Sequence, residues 1–125
     1  MTEIGHAAID AGADLVIGHG PHYSLPVELY RGKPIFYGLG SFSFHTGHAG
    51  LRHGDWLGMM VKASCDGGGI DRVSFQFVRH DDRNRTVFRT LADESAAFAQ
   101  IAQESAALGA ELAAEGDQAV IKLRA

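Results

Sequence analysis

Three consecutive β-forming residues, Leu15-Val16-Ile17, run straight into Gly18-His19-Gly20-Pro21-His22. A strand without polar alternation suits a sheet covered on both faces, the arrangement of α/β folds. In such sheets the ligand-binding groups stand at the carboxyl ends of the strands. Here that end carries two histidines. Neutral imidazole is a common ligand of zinc, manganese, iron and nickel, and the flanking Gly and Pro set a tight, exposed turn. His19 and His22 are therefore candidate metal ligands forming one wall of a site. Two histidines are too few to hold a transition metal well, so further ligands must come from elsewhere.

The rest of the chain alternates between helix and strand patterns. Thr2 to Ala11 reads as a short helix that Thr2 can cap, with Ile4, Ala8 and Ala11 on one face and Gly12 as a left-handed stop. Val27 to Tyr30 and Ile35 to Tyr37 read as the arms of a hairpin around Arg31-Gly32-Lys33-Pro34. Gly38 to Gly54, rich in glycine and histidine, has no sustained period and reads as loop. Trp56 to Ala63 and Ile70 to Arg79 form a second strand pair, joined through Asp66-Gly67-Gly68-Gly69, a segment that tolerates positive φ. From Thr90 the pattern is helical: Thr90 and Asp93 make a weak capping pair, and Phe98, Ile101, Ala102, Leu108 and Leu112 recur at helical spacing. Val120 to Leu123 ends the chain as a short strand. The fold class is mixed α/β, in a single domain over residues 1–125. The Leu15 strand asks for parallel neighbours on both sides, yet no crossover long enough to supply them precedes it. That predicts missing structure and an apolar edge prone to self-association.

With 46% hydrophobic and 21% charged residues in 125, the composition is that of an ordinary soluble globular chain. A net charge of −4 argues against a general nucleic-acid binder. No apolar run approaches the ~20 residues of a membrane span, and no basic-then-apolar signal layout opens the chain. The compartment is left open. Cys65 is the only cysteine, so no internal disulfide forms, and no basic residue flanks it to activate its thiol. Arg79, Arg83, Arg85 and Arg89 are interrupted by Asp81 and Asp82 and read as a solvated connector. His45, His48 and His53 could converge on one ion, but a loop of this composition is ordinarily only solvated. His6 and His80 read as surface or capping residues, Lys33 as a turn cap and Tyr37 as packing under it. Ser41 lacks a Gly-x-Ser-x-Gly elbow, which excludes a serine-hydrolase nucleophile.

Residues 6–44, HAAIDAGADLVIGHGPHYSLPVELYRGKPIFYGLGSFSF, resemble the C-terminal part of the bacterial capsule-synthesis family that includes poly-γ-glutamate proteins of the CapA/PgsA type. The Gly-His-x-Pro-His turn followed by Gly-Lys-Pro-Ile-Phe-Tyr carries the resemblance. Trp56-Leu57, the Asp66 turn and the C-terminal helix and strand extend it more loosely. The resemblance implies a calcineurin-like metallophosphoesterase fold, an α/β/β/α sandwich, of which this chain is the C-terminal part. It further implies a divalent metal, manganese, iron or zinc, with His19 and His22 among its ligands. An anionic polymer or a phosphorylated small molecule would be the substrate or partner. The family has a histidine where this chain has Gly20 and an asparagine where it has Ser41, so these two are candidate substrate-contact or ligand-orienting positions. The acidic and Asn-His motifs of the family's N-terminal half have no counterpart here. Three readings follow: a metal-dependent hydrolase domain present in part, a non-catalytic component of capsule assembly, or an inactive truncation.

Overall fold

The computed structural model describes residues 2–21, 23–42, 56–83 and 85–123. Helix α1 (Thr2–Asp10) turns Gly5 and Ile9 inward. It ends as expected at Gly12, whose φ of 115° lets the Ala13 N–H fold back to the Ala8 carbonyl. Strand β1 (Val16–Ile17) follows, then the hairpin of β2 (Val27–Tyr30) and β3 (Lys33–Phe36). Arg31 and Gly32 both have positive φ, 52° and 76°, the mirror-image turn whose twist suits a two-residue hairpin loop. β1 pairs parallel with β3, Val16 beside Ile35 and Ile17 beside Phe36, giving a three-stranded sheet in the order β1-β3-β2.

The second sheet is antiparallel. β4 (Gly58–Asp66) pairs with the long β5 (Gly69–His80), which also holds the short β6 (Thr86–Phe88). After α2 (Ser95–Ala107), strands β7 (Leu112–Glu115) and β8 (Gln118–Ile121) form a hairpin whose β8 joins β5. The order is β4-β5-β8-β7, with β6 on β5. Alternation sends Val73, Phe75 and Phe77 inward, all essentially fully buried. Phe36 of β3 meets Phe75 edge-on, ring centroids 6.4 Å apart, so the two sheets stack over one core. Burying each such ring contributes roughly 1.5–3 kcal/mol.

Two expectations change, while the expected unpaired edge of the Leu15 strand is present among the described residues. The Leu15 run is not covered on both faces: Leu15 packs on the core, but Ile17 is 48% exposed. β1 has one sheet neighbour among the described residues, and that neighbour is parallel and comes from later in the chain. The C-terminal helix is shorter than its periodicity suggested. Thr90 Oγ1 does accept the Asp93 N–H at 2.9 Å, but this closes a turn ahead of α2. At the other end Gly109, with φ 84°, ends the helix, and Leu112 enters β7, where it faces Ile121. Leu112 keeps helical phase by coincidence; pairing with β8 decides its conformation.

Candidate functional site

β1 and β3 run parallel, so their carboxyl ends open on the same side, and the two segments leaving them make the site. Gly18 donates its N–H to the Phe36 carbonyl at 2.6 Å. A Cβ at Gly18 would stand 2.7 Å from the Tyr37 carbonyl oxygen, so only glycine lets the turn fold this closely over the end of β3. The Pro21 ring then reaches Gly38, lying 3.4 Å from where its Cβ would be. The Ser24 N–H donates to the Leu57 carbonyl at 2.8 Å, and Ser24 Oγ donates to the same oxygen at 2.9 Å. Leu25 donates to Gly38 at 2.9 Å, and Met59 donates to Leu39 at 2.7 Å. The segment 37–41 is thus stitched between the histidine turn and the start of β4.

On this frame His19 is exposed, directly past the end of β1. Gly20 is exposed with φ 147°, and a Cβ there would meet nothing within 4 Å. Ser41 is buried, its carbonyl oxygen 2.8 Å from the Cβ position of Gly58. The structure therefore brings the His19 turn and the Ser41 segment to the same end of the sheet. His22 lies outside the described residues, as do His45, His48 and His53. Among the described residues no three His, Cys, Asp or Glu side chains stand close enough to hold a metal ion.

A polar clamp behind the site went unread in the sequence. Register places Glu28, Tyr30 and Ile35 on the sheet face beneath α1, where a Cβ on Gly5 would lie 3.2 Å from Ile35. His6 of α1 sets its Nε2 2.9 Å from each Glu28 carboxylate oxygen and stacks on Tyr30, ring centroids 3.8 Å apart. Tyr37 donates its hydroxyl to the same carboxylate. Burial pushes the Tyr37 phenol up to about 12, and its hydrogen bond to Glu28 adds to the shift. His6 is thus neither a cap nor a loose surface residue: it ties α1 to the hairpin. Lys33 closes the far end of the hairpin on Asp14 at 2.7 Å. The i, i+2 spacing of Glu28 and Tyr30 hinted at a shared face; nothing in the sequence paired them with His6.

The family model described as bacterial capsule synthesis protein PGA_cap matches residues 1–46, a span that takes in α1, the histidine turn and the β2–β3 hairpin. Residues 1–46 are thus similar to this bacterial capsule synthesis family. The PGA biosynthesis protein CapA of Bacillus subtilis is 49% identical over 47 residues, 38% of this chain and 12% of that protein. A protein of Mycobacterium tuberculosis named a probable polyglutamine synthesis accessory protein is 60% identical over 35 residues, 28% of this chain and 9% of its own length. The capsule biosynthesis protein CapA of Bacillus anthracis is 43% identical over 44 residues, 11% of its length. The chain thus spans about a tenth of the capsule synthesis relatives it matches. The matched stretch is the one that carries His19 and the clamp.

Proposed function

We propose that this chain is the C-terminal portion of a CapA-type capsule or poly-γ-glutamate biosynthesis protein, and that His19 and His22 form one wall of a divalent-metal site in a metallophosphoesterase-type hydrolase domain. The observation that carries this reading is the seating of the Gly18–Pro21 turn at the common carboxyl end of two parallel strands, with His19 exposed there. Manganese, iron or zinc suits imidazole donors. When bound, such metals activate water and polarise a phosphoryl oxygen. This chain's part is to hold imidazoles on a turn fixed by Gly18 and Pro21, with the remaining ligands supplied by polypeptide outside it. Ser41, buried with its carbonyl beside Gly58 of β4, and Gly20, which leaves open space at its Cβ position, are the substrate-contact or ligand-orienting positions of this reading. The substrate is an anionic polymer or a phosphorylated small molecule. A second reading, a non-catalytic assembly component that contacts polymer, draws on the word accessory in the Mycobacterium tuberculosis name.

Titration of manganese or zinc into the purified protein tests the site. Weak binding of one ion is expected, lost in the double variant His19→Ala, His22→Ala. Unchanged binding in that variant overturns the metal reading. Hydrolysis of bis(p-nitrophenyl) phosphate by the chain alone should stay at background, because two histidines cannot hold a dinuclear centre. Manganese-stimulated hydrolysis abolished by His19→Ala would instead place every needed ligand within these 125 residues.

A further inference from the structure

A cleft of about 390 Å³ runs between helix α2 and the segment that follows the histidine turn. Neither of its walls is loose. On one side the Ser24 N–H and Oγ both donate to the Leu57 carbonyl, and the Leu25 N–H donates to the Gly38 carbonyl at 2.9 Å. The Tyr23 backbone rests against Gly40, 3.2 Å from where a Cβ there would stand. On the other side buried Ser105 accepts the Val27 N–H at 2.9 Å and pins α2 to the same stretch of chain. Ala97, Gln100 and Glu104 recur at helical spacing and line the cleft over roughly 10 Å of helix. The cleft is therefore formed before any ligand arrives, as small-molecule sites generally are.

Its lining is divided by chemistry. Leu25, Leu57 and Ile101 give it apolar surface, the last two buried. Tyr23, Gln100 and Glu104 are exposed. The Tyr23 ring is 52% exposed although its backbone is held, and it stands edge-to-face with Trp56, ring centroids 6.3 Å apart. Glu104 is the one charged residue among the described residues that line the cleft. Neither Gln100 nor Glu104 has a hydrogen bond or ion pair with another described residue. The nearby exposed acids differ: Glu111 holds Lys122 and Glu115 holds Arg72. The cleft thus presents a carboxylate, an amide and an aromatic ring beside apolar surface, with no cation of its own among the described residues.

We propose that this cleft binds a primary ammonium group carried on an aliphatic stem, as in a lysine side chain or a free diamine. Each part of such a ligand has a counterpart. The ammonium pairs with the Glu104 carboxylate and is attracted to the Tyr23 ring. The Gln100 amide oxygen accepts another of its three N–H donors. The stem lies against Leu25, Leu57 and Ile101, as alkyl stems of amines cover apolar surface. The same lining rejects the alternatives. An anionic group would meet Glu104 with no described cation to receive it, and a plain alkyl chain would leave the polar groups unused. The anionic substrate of the metal reading therefore does not enter here. The inference goes beyond that reading and does not rest on it: α2 lies outside the residues 1–46 that match the family model.

Trp56 is the only tryptophan and touches Tyr23, so its fluorescence reports on the cleft. The full chain is titrated, with EDTA present, with Nα-acetyl-lysine methylamide, with 1,5-diaminopentane and with Nα-acetyl-norleucine methylamide, which has the stem without the charge. Saturable binding of both amines is expected, at least tenfold tighter than the norleucine compound. The tighter of the two amines identifies the source, a peptide side chain or a free diamine. Glu104→Gln should weaken amine binding at least fivefold and Tyr23→Leu at least threefold. Glu111→Gln, a change at an acid outside the cleft, should leave it unchanged. Each variant is first checked for a melting curve like that of the parent. Absence of amine binding, equal binding of the norleucine compound, or indifference to Glu104→Gln overturns the proposal. Tighter binding of a γ-glutamyl peptide than of either amine overturns it too, by giving the cleft to an anion. Because EDTA is present throughout, these outcomes stand apart from the fate of the metal reading.

Discussion

Gly18 and Tyr37 meet at the base of the histidine turn, and each makes a measurable claim. Alanine at Gly18 would force its Cβ against the Tyr37 carbonyl oxygen, 2.7 Å away, and the Phe36 carbonyl oxygen, 3.1 Å away, both backbone atoms. Overpacking of that kind costs about 1–3 kcal/mol. Urea unfolding of Gly18→Ala should show the loss as a lower midpoint; an unchanged midpoint would mean that the turn yields freely. Tyr37 holds its proton more tightly folded than unfolded, up to about 12 against an ordinary 10.0, first through burial and then through Glu28. Its contribution is therefore complete below pH 10 and lost as pH rises from 10 towards 12. Ultraviolet titration of the phenolates should reveal one late tyrosine, absent in Tyr37→Phe, whose stability should fall less steeply across the same window.

At the scale of elements, α2 is fastened to the sheets at both ends by polar groups. Glu94, buried, accepts Arg79 at 2.6 and 2.8 Å and Arg89 at 2.9 Å, joining β5 to the start of the helix. The Arg79 hydrogen bond foremost, with Arg89 beside it, holds the Glu94 carboxyl below its usual range despite the opposing effect of burial. A depressed carboxyl stabilises the fold above its unfolded value, near 4.5, and that stability is lost as pH falls through the lower folded value. Glu94→Gln should cost about 1–3 kcal/mol at pH 7, a buried-pair loss discounted because both arginines are part-exposed. The gap to the parent should shrink below pH 4; a gap constant with pH would refute the charge argument. At the other end Ser105 is fully buried and accepts the Val27 N–H. Ser105→Ala leaves that N–H without its partner and should cost about 1–3 kcal/mol in thermal or urea unfolding. An effect near zero would mean that Val27 finds another acceptor.

Across the whole molecule, one core joins both sheets and α2: Val27 and Phe36 from the first, Phe75, Phe77 and Ile121 from the second, Ile101 from the helix. Phe75 touches both Phe36 and Phe77, ring centroids 6.4 and 5.4 Å away. Phe75→Ala should therefore destabilise both sheets together, by about 3–5 kcal/mol. Tyrosine fluorescence and far-ultraviolet dichroism should report one common transition; two separated transitions would show that the sheets unfold independently. Among the described residues β1 has β3 as its one sheet neighbour, and no described helix is long and apolar enough to cross a membrane.

Local chemistry alone determined much of this. Gly12 stops α1, Arg31-Gly32 turns the hairpin, and alternation aims Phe75 and Phe77 inward, because each depends on backbone freedom or period within a few residues. The strand end bearing His19 was legible for the same reason, an apolar run broken by glycine and proline. What depends on partners distant in the chain was not. Leu112 fits a helical period yet pairs in β7, because β8 competes for it with a full hairpin ladder. His6, Glu28 and Tyr37 converge only once α1 lies on the hairpin, and Glu94 finds Arg79 only once α2 reaches β5. The Leu15 run promised cover on both faces; tertiary structure decided otherwise, since a strand's own residues specify that it be buried but cannot supply the neighbour that buries it.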